Sequence, residues 1–289
     1  MRTCADWARR GHSALAAVCL LACAPAHAQQ AETRNDPKPV TDVSKASADE
    51  IAKESENPIG SLTVLPFENY VNLGFGPHKG TQDVLEFEPV VPIHVNQDWN
   101  VITRAIIPVT WDPSLLPAPS VPQALAPSTF SAVLAPRTPT NGWIWGVGPI
   151  AQIPTETSLT VGSNVWGLGP TAIFVHTGTH IVAGLLINNV WSFGGTSGPG
   201  GSRYAQFLAQ PLFNYNFGQG WFMSTAPIIT DNEVGHGQKW TVPVGVEGGR
   251  IIRVLGNLPV KLSVGGYYNI VTPEYGARWT LKSVVAVIF

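Results

Sequence analysis

Charged residues in the middle of the chain stand at alternate positions among apolar ones. Glu86 and Glu88 alternate with Leu85 and Phe87, and Arg104 lies inside another largely apolar stretch. Alternate side chains of a β-strand point to the same side, so the two carboxylates would share one face. With an arginine on a facing strand they could form a structural ion pair, or they could line a passage and select a solute by charge. Both interpretations are open at this point.

The other residues with chemical potential form no catalytic or metal-binding motif. His176 and His180 lie four residues apart, but a predicted strand turn separates them, so the spacing is not that of a helical zinc site. Serines and His236 could serve a lipase within a barrel, but no motif joins them. Gly146 and Gly148 lie inside a predicted strand, unlike the glycines of a nucleotide-binding loop. The sequence therefore predicts no catalytic residue, no metal and no cofactor, and a protein that is not an enzyme.

Composition excludes several classes of protein. Of the 289 residues 44% are hydrophobic and only 12% are charged, whereas about a quarter are charged in an ordinary soluble domain. The hydrophobic share excludes a disordered chain. The formal net charge of −2 excludes a strongly basic surface, so no nucleic acid is expected as a partner.

The first 28 residues have the pattern of a signal peptide. Basic residues at positions 2, 9 and 10 precede an apolar segment over 13–24 and the small-residue site Ala26-His27-Ala28. Cleavage is expected near Ala28. A lipoprotein signal with an acylated Cys23 is the competing interpretation, which the residues before Cys23 fit less well. All three cysteines lie in this leader, so the mature chain would have no thiol.

The uneven distribution of charge predicts three segments: a signal peptide over 1–28, a polar periplasmic tail over 29–58, and a strand-rich body over 59–289. The tail holds 11 of the 32 charged residues that follow the leader. Ser47 and Glu50 have the spacing of a capping box and predict a short helix over 48–56, ended by Asn57-Pro58. The helix has the length of a plug or flap, and a mobile tether is the simpler alternative.

The body alternates between strand and turn. The spacing predicts an all-β fold of about 12 antiparallel strands, over 62–75, 83–95, 99–111, 126–135, 142–153, 164–175, 180–191, 204–216, 220–230, 239–252, 259–270 and 277–289. No run of about 20 apolar residues follows the leader, so no membrane helix is expected in the body. Prolines inside nearly every predicted strand oppose this assignment, because they remove ladder hydrogen bonds. Bulges could absorb them.

Tryptophan placement separates a membrane barrel from a soluble β-sandwich, which alternation alone would also fit. Trp99 and Trp111 bound one predicted strand, which spans about 28 Å of bilayer when tilted. The predicted membrane girdle consists of Trp99, Trp111, Trp143, Trp191, Trp221, Trp240 and Trp279. The links between strands are alternately longer and shorter, which is typical of an outer-membrane barrel with both termini in the periplasm.

Six sequence motifs carry a family resemblance. They are Trp145-Gly-Val-Gly-Pro149, Trp166-Gly-Leu-Gly-Pro170, Leu65-Pro-Phe-Glu-Asn69, Trp99-Asn-Val-Ile-Thr-Arg104, Asn188-Asn-Val-Trp-Ser192 and Gln210-Pro-Leu-Phe-Asn-Tyr-Asn216. Over about 57–289 the chain resembles the bacterial outer-membrane β-barrel proteins associated with the MetA-pathway of phenol degradation, which are described as transporter-like. The resemblance implies uptake or export of small molecules, hydrophobic or aromatic ones among them.

A strand register follows from one short turn. Residues 96–98 pair Val95 with Trp99, which places Val90 opposite Arg104 and Glu88 diagonal to it. Charges this near mid-bilayer must face inward, because facing lipid would cost several kcal/mol. The residues expected to line the lumen or solute path are Glu86, Glu88, His94, Arg104, Gln206, Gln210, Asn214, Lys239, Glu247, Arg278 and Lys282.

The chain ends on an aromatic residue that shares a strand face with Val285 and Val287. Phe289 is therefore the expected assembly signal, read by the barrel-insertion machinery. Lipid of the outer membrane and a small-molecule solute are the other expected partners, and the expected location is the outer membrane of a Gram-negative bacterium. The expected function is a channel or transporter for small solutes. The alternative is a structural or surface-interaction barrel whose lumen is filled.

Overall fold

The computed structural model describes residues 40, 42–111, 123–162, 164–195 and 203–289. The predicted signal peptide and its cleavage site, most of the charged tail before residue 40, and the link over 112–122 lie outside these residues. Within the described part of the chain, no helix is long and apolar enough to cross a bilayer.

Twelve antiparallel strands form a closed barrel in which each strand pairs with the next and the last pairs with the first, as the sequence predicts. Three of the strands are interrupted, which the sequence pattern did not indicate. The strands are β1 (Val64–Phe75), β2 (Gly80–Phe87 and Val90–His94), β3 (Trp99–Trp111), β4 (Ala124–Leu125 and Ser128–Pro136), β5 (Trp143–Ile153), β6 (Val165–Thr177), β7 (Ile181–Gly195), β8 (Ala205–Gly218), β9 (Trp221–Thr225 and Ile229–Asn232), β10 (Trp240–Val254), β11 (Leu258–Val271) and β12 (Trp279–Ile288).

The two ends of the barrel differ. One end, called the helix end below, carries helix α1 (Ala48–Ser55), the first residues of β1 and the last residues of β12. The other end is called the loop end. Five of the six links at the loop end are longer than every link at the helix end. This alternation agrees with the expectation from the sequence.

The wall has an apolar outer face and a polar inner one. In β8 the side chains of Phe213 and Phe217 are 44% and 61% exposed, whereas Asn214 and Asn216 between them are almost fully buried. Exposed aromatic side chains around a closed wall are typical of a surface that faces lipid. The barrel is therefore of the membrane-spanning kind.

Several prolines of the wall lie where strand pairing is interrupted, whereas Pro66 and Pro92 lie within unbroken ladders. Pro149 of β5 lies opposite Pro170 of β6, and the ladders beside this pair, between β4 and β5 and between β6 and β7, are interrupted there. β9 is interrupted between Thr225 and Ile229, and Pro227 in this gap is in register with Pro211 of β8. A missing N–H therefore faces a position where no ladder bond is made. At Pro243 of β10 the register shifts, as at a bulge.

The glycines of the repeated Trp-Gly-x-Gly-Pro motif allow neighbouring strands to approach closely. A Cβ atom on Gly148 would overlap the carbonyl oxygen of Ala132, and one on Gly169 would overlap that of Asn189. Glycine is therefore required at both positions by packing.

Six of the seven tryptophans expected to form a girdle are the first or last residue of a strand, and Trp191 lies four residues before the end of β7. Trp99, Trp143 and Trp221 begin strands at the helix end, and Trp143 and Trp221 are half exposed. The other four, at the loop end, are Trp111, Trp191, Trp240 and Trp279. This is the placement that two interfacial rings require. Their role as membrane anchors stays a prediction.

Candidate functional site

An ion pair joins two charged residues on the lumen side of β2 and β3, Glu88 and Arg104. Val90 lies opposite Arg104 across β2 and β3, so Glu88, two residues along, is the diagonal neighbour of the arginine. The Nη2 atom of Arg104 donates to Oε2 of Glu88 at 2.6 Å. Glu88 is only 4% exposed. The Glu86 carboxyl, one step along the same face, contacts that of Glu88.

A second group of charges lies on the opposite side of the β1 strand. Lys282 of β12 pairs with Tyr70 of β1 in the ladder, and its Nζ atom lies 2.9 Å from Oε2 of Glu68 and 3.9 Å from Oε2 of Glu247. The Tyr70 hydroxyl donates to Glu68 at 2.5 Å, and the Ser224 hydroxyl donates to Glu247 at 3.0 Å. Every charge in this group therefore has a partner of opposite sign or a hydroxyl donor.

A third pair links the wall to the N-terminal segment. The Nζ atom of Lys261 in β11 lies 2.5 Å from Oε1 of Glu56, the residue that ends α1. Lys261 also lies over the ring of Phe222, 5.1 Å from its centre. Together these residues form what is called the charged layer below: Glu68, Glu86, Glu88, Arg104, Glu247, Lys261 and Lys282.

Two cavities lie above the charged layer, on the side of the loop end. The first, the aromatic cavity, measures about 320 Å³ and includes Tyr70, Phe75 and Tyr267 in its lining. The second, the amide cavity, measures about 380 Å³, and its lining includes Gln206 and Gln210. Glu86 lines both cavities. The charged layer is thus the floor that a solute entering from the loop end would reach.

A smaller cavity of about 140 Å³ lies below the layer, against the end of α1. Its lining includes Glu88, Arg104, Lys261 and Lys282 from the layer and Glu56 from the helix. From the loop end to the helix end, the order is therefore the two larger cavities, then the charged layer, then the small cavity.

Helix α1 lies against the wall at the helix end. Ser47 and Glu50 form the predicted capping box, which satisfies free N–H groups at the helix start. The Ser47 hydrogen bonds lower the pKa of the Glu50 carboxyl below its ordinary range. Ile51 and Ala52 are fully buried in a cluster that includes Ile251 and Ile288 of the wall.

Polar contacts hold the same segment to the turns of the barrel. The Asp49 carboxylate accepts from the Gly220 N–H at 2.6 Å. Arg253, near the end of β10, donates to the carbonyl oxygens of Val43 and Ala46 at 2.9 and 2.5 Å. The segment around α1 is therefore docked on the barrel through both apolar and polar contacts, which favours the plug over the tether.

The structure brings most of the sequence-predicted lumen residues inside the barrel. Glu247 and Lys282 are in the charged layer with Glu86, Glu88 and Arg104, and Gln206 and Gln210 line the amide cavity. Asn214 is 1% exposed and lies toward the helix end of β8. Their part in a solute path stays a prediction.

Three predicted residues lie away from this group. His94 is exposed at the helix end of β2, where its ring contacts Asn100. Lys239 lies in the link before β10 and donates to the carbonyl oxygen of Glu233. Arg278 is exposed just before β12. Period-two alternation assigns a residue to a face but not to a depth, so it did not separate these rim residues from the layer.

Sequence reasoning missed Glu68, Tyr70, Lys261 and Glu56. A signal for two of them was present: Glu68 and Lys261 are single charges on otherwise apolar strand stretches, and the argument that turned Arg104 inward applies equally to them. The pairing of Lys261 with Glu56 had no sequence signal, because it depends on where α1 docks.

The fold and its lumen define the class of protein: a closed outer-membrane-type β-barrel with an apolar wall and a charged interior. The structure is similar to that of an outer membrane channel from Pseudomonas putida F1, with a TM-score of 0.58 and 14% sequence identity over 79% of this chain and 94% of that chain. At the level of the fold, this similarity confirms the resemblance to outer-membrane β-barrel proteins inferred from the sequence motifs.

Two more distant structures are also similar. A FadL homologue from Pseudomonas aeruginosa has a TM-score of 0.40 and 9% identity, over 85% of this chain and 92% of that one. A mutant porin of Rh. blastica has a TM-score of 0.24 and 11% identity, over 79% of this chain and 99% of that one. No protein-family model matches the sequence, and neither does any curated protein.

Proposed function

We propose that this protein is an outer-membrane channel or transporter for small solutes, hydrophobic or aromatic ones included. The observation that carries the proposal is the pair of cavities of about 320 and 380 Å³ inside the barrel. Ligand sites for small molecules usually occupy about 300–1,000 Å³. A barrel whose only task is structural needs no space of this size in its lumen.

The proposed orientation places the helix end in the periplasm and the loop end outside the cell. Long external loops and short periplasmic turns support it. A solute would enter a cavity from outside, reach the charged layer, and continue past α1. Since the layer consists largely of close ion pairs, passage requires side chains such as Arg104 and Glu88 to part, and this would oppose free ion flow.

The same layer and the docked helix favour a second candidate, a barrel that transports nothing. In that case the ion pairs would brace the wall and α1 would close the helix end permanently. The two candidates differ in whether solute crosses the intact protein.

Flux through liposomes tests the proposal. The refolded mature chain is reconstituted, and swelling is measured in neutral solutes of graded size and in phenyl glucoside, an aromatic solute that crosses lipid slowly, with protein-free liposomes as the control. The proposal expects faster swelling with the small solutes and with phenyl glucoside, and a cut-off at larger sizes. Swelling equal to the protein-free control for every solute would reject the channel and leave the structural barrel.

A further inference from the structure

The aromatic cavity has walls suited to a ring. Tyr70 and Tyr267 stand on its sides with Phe75 and Pro243. A cavity of about 150 Å³ suffices to hold benzene, so a volume of about 320 Å³ accommodates a substituted ring. Aromatic and proline faces contact such a ring in the ways that side chains contact one another in protein cores.

The side-chain amides on the upper wall of this cavity already have hydrogen-bond partners, whereas the hydroxyl of Thr272, which also lines the cavity, has none in the described part of the chain. The Asn72 amide donates to Gln82 at 3.0 Å and its oxygen accepts from Thr280 at 2.7 Å. The Asn269 amide donates to the carbonyl oxygen of Ala277 at 2.8 Å. A solute would gain little from these amides, since they would have to leave existing partners.

The floor of the cavity is different, because it is the charged layer, in which four acids lie beside three bases. Lys282 reaches the cavity, but its ammonium group lies against Glu68 and Glu247. Glu86 forms none of the ion pairs found in the described part of the chain, and its contact is with another acid, Glu88. Two carboxyl groups in contact share one proton, so the Glu86 oxygen that does not contact Glu88 is the group at the floor that can accept a hydrogen bond from a solute.

We propose that the aromatic cavity binds small aromatic molecules that carry a hydrogen-bond donor, neutral or cationic, and rejects aromatic anions, with Glu86 receiving the donor. The ring would lie between Tyr70 and Tyr267. An anion would find no free base, because the nearby cations are engaged by other acids, whereas a cation would take the place of the proton that Glu86 and Glu88 share. The inference deepens the proposed function by naming the class of solute, and it rests on that function only for what happens after binding.

A series of compounds on one ring tests the inference. Binding of benzyl alcohol, benzylammonium, toluene and benzoate to the refolded full mature chain is measured by equilibrium dialysis in detergent. We expect the alcohol and the ammonium to bind at least about tenfold more tightly than toluene, the ratio that one good hydrogen bond to a charged group supplies. Benzoate should bind more weakly than toluene.

Two variants separate the role of the Glu86 side chain from that of the volume of the aromatic cavity. Glu86→Gln should reduce the preference for benzylammonium over toluene to within about twofold, whereas Glu274→Gln, the same change on an exposed loop at the loop end, should leave it unchanged. Val84→Phe places bulk in the cavity wall while keeping the carboxylate, and should abolish binding of all four compounds. Heat-modifiable gel mobility verifies that each variant is folded.

The results distinguish the cavity from the channel. Benzoate bound as tightly as benzylammonium, or an undiminished preference in Glu86→Gln, would overturn the inference, and so would wild-type binding by Val84→Phe if Glu86→Gln did not fold. Binding with the expected pattern but no liposome flux would preserve the cavity and reject the channel. Flux without the binding pattern would preserve the channel and reject the cavity.

Discussion

Arg104 of β3 and Glu88 of β2 form an ion pair of 2.6 Å across the lumen-facing side of two adjacent strands. Val90 lies opposite Arg104 in the ladder, and Glu88 lies two residues before Val90, so the ion pair is a diagonal one. Because the pair is largely buried, the loss of either side chain would leave the other charge unpaired in a low-dielectric site, which is costly.

Removing one partner of this pair should destabilise the barrel. Arg104→Met and Glu88→Gln each leave an unmatched group, and breaking a buried pair typically costs about 3–5 kcal/mol. The free energy of unfolding in urea, measured in lipid vesicles, should fall by this order in Arg104→Met. The double variant should recover most of the loss, and a double variant as unstable as the sum of the singles would argue against the coupling.

Variants at the same two positions decide whether the ion pair only stabilises the barrel or also selects ions by charge. In planar bilayers, Arg104→Ala and Glu88→Gln should shift ion selectivity in opposite directions if the layer filters solutes by charge. Unchanged conductance and selectivity in both, together with lowered stability, would leave the pair with a structural role alone.

The position of this pair could be predicted from the sequence because a short turn determines the strand register on both sides of it. The strands were equally predictable, since the outer face must be apolar and the inner face polar at period two. The depth of His94, Lys239 and Arg278 was not, because alternation is the same in the middle and at the rim of a strand. The interruption of β9 opposite Pro211 also had no local signal, because it depends on which prolines become neighbours in the closed wall.

The ion pair between Glu56 at the end of α1 and Lys261 of the wall gives a further prediction. Glu56→Gln removes the charge that Lys261 holds at 2.5 Å, so α1 should dissociate more readily and single-channel conductance should increase. Lys45→Gln, on an exposed side chain that pairs with Asp42, is the control and should change nothing. Deleting residues 29–56 should enlarge the effect and leave the barrel folded, because the strand ladder closes without this segment. A truncated chain that fails to refold would show that the segment is part of the folded core.

The capping box predicts a pH dependence for the docking of α1. Because Ser47 lowers the folded-state pKa of Glu50, its stabilisation is fully present above the ordinary glutamate pKa and is lost as the pH falls through the lowered folded-state pKa. Hydrogen exchange of the α1 amides should therefore accelerate, relative to the wall, in acid below the ordinary glutamate range. Ser47→Ala should accelerate it already at neutral pH, by an amount that corresponds to about 1 kcal/mol. Exchange in Ser47→Ala equal to wild type at both pH values would contradict this role.

Close strand packing at the repeated motif predicts a strict glycine requirement. Gly148→Ala places a methyl group on the carbonyl oxygen of Ala132, so the β4–β5 ladder must separate and the yield of heat-modifiable, folded barrel should fall severalfold. Gly248→Ala is the matched control, because no atom lies within 4 Å of the added group. Equal folding yields for the two variants would mean that the wall can adjust at Gly148 without penalty.

The C-terminal residue closes the barrel seam and offers a test of assembly. The Phe289 N–H donates to the Thr63 carbonyl at 2.9 Å and its carbonyl accepts from the Thr63 N–H at 3.1 Å, while the ring remains half exposed on the outer face. Because the ring itself adds little to this seam, its expected role is recognition by the insertion machinery. Deleting Phe289 should reduce insertion into the outer membrane in cells. Phe217→Ala, which removes another exposed aromatic ring at the helix end, controls for lost lipid contact and should insert nearly as well as wild type. Normal insertion and heat-modifiable mobility after the deletion would show that the terminal aromatic is not the signal.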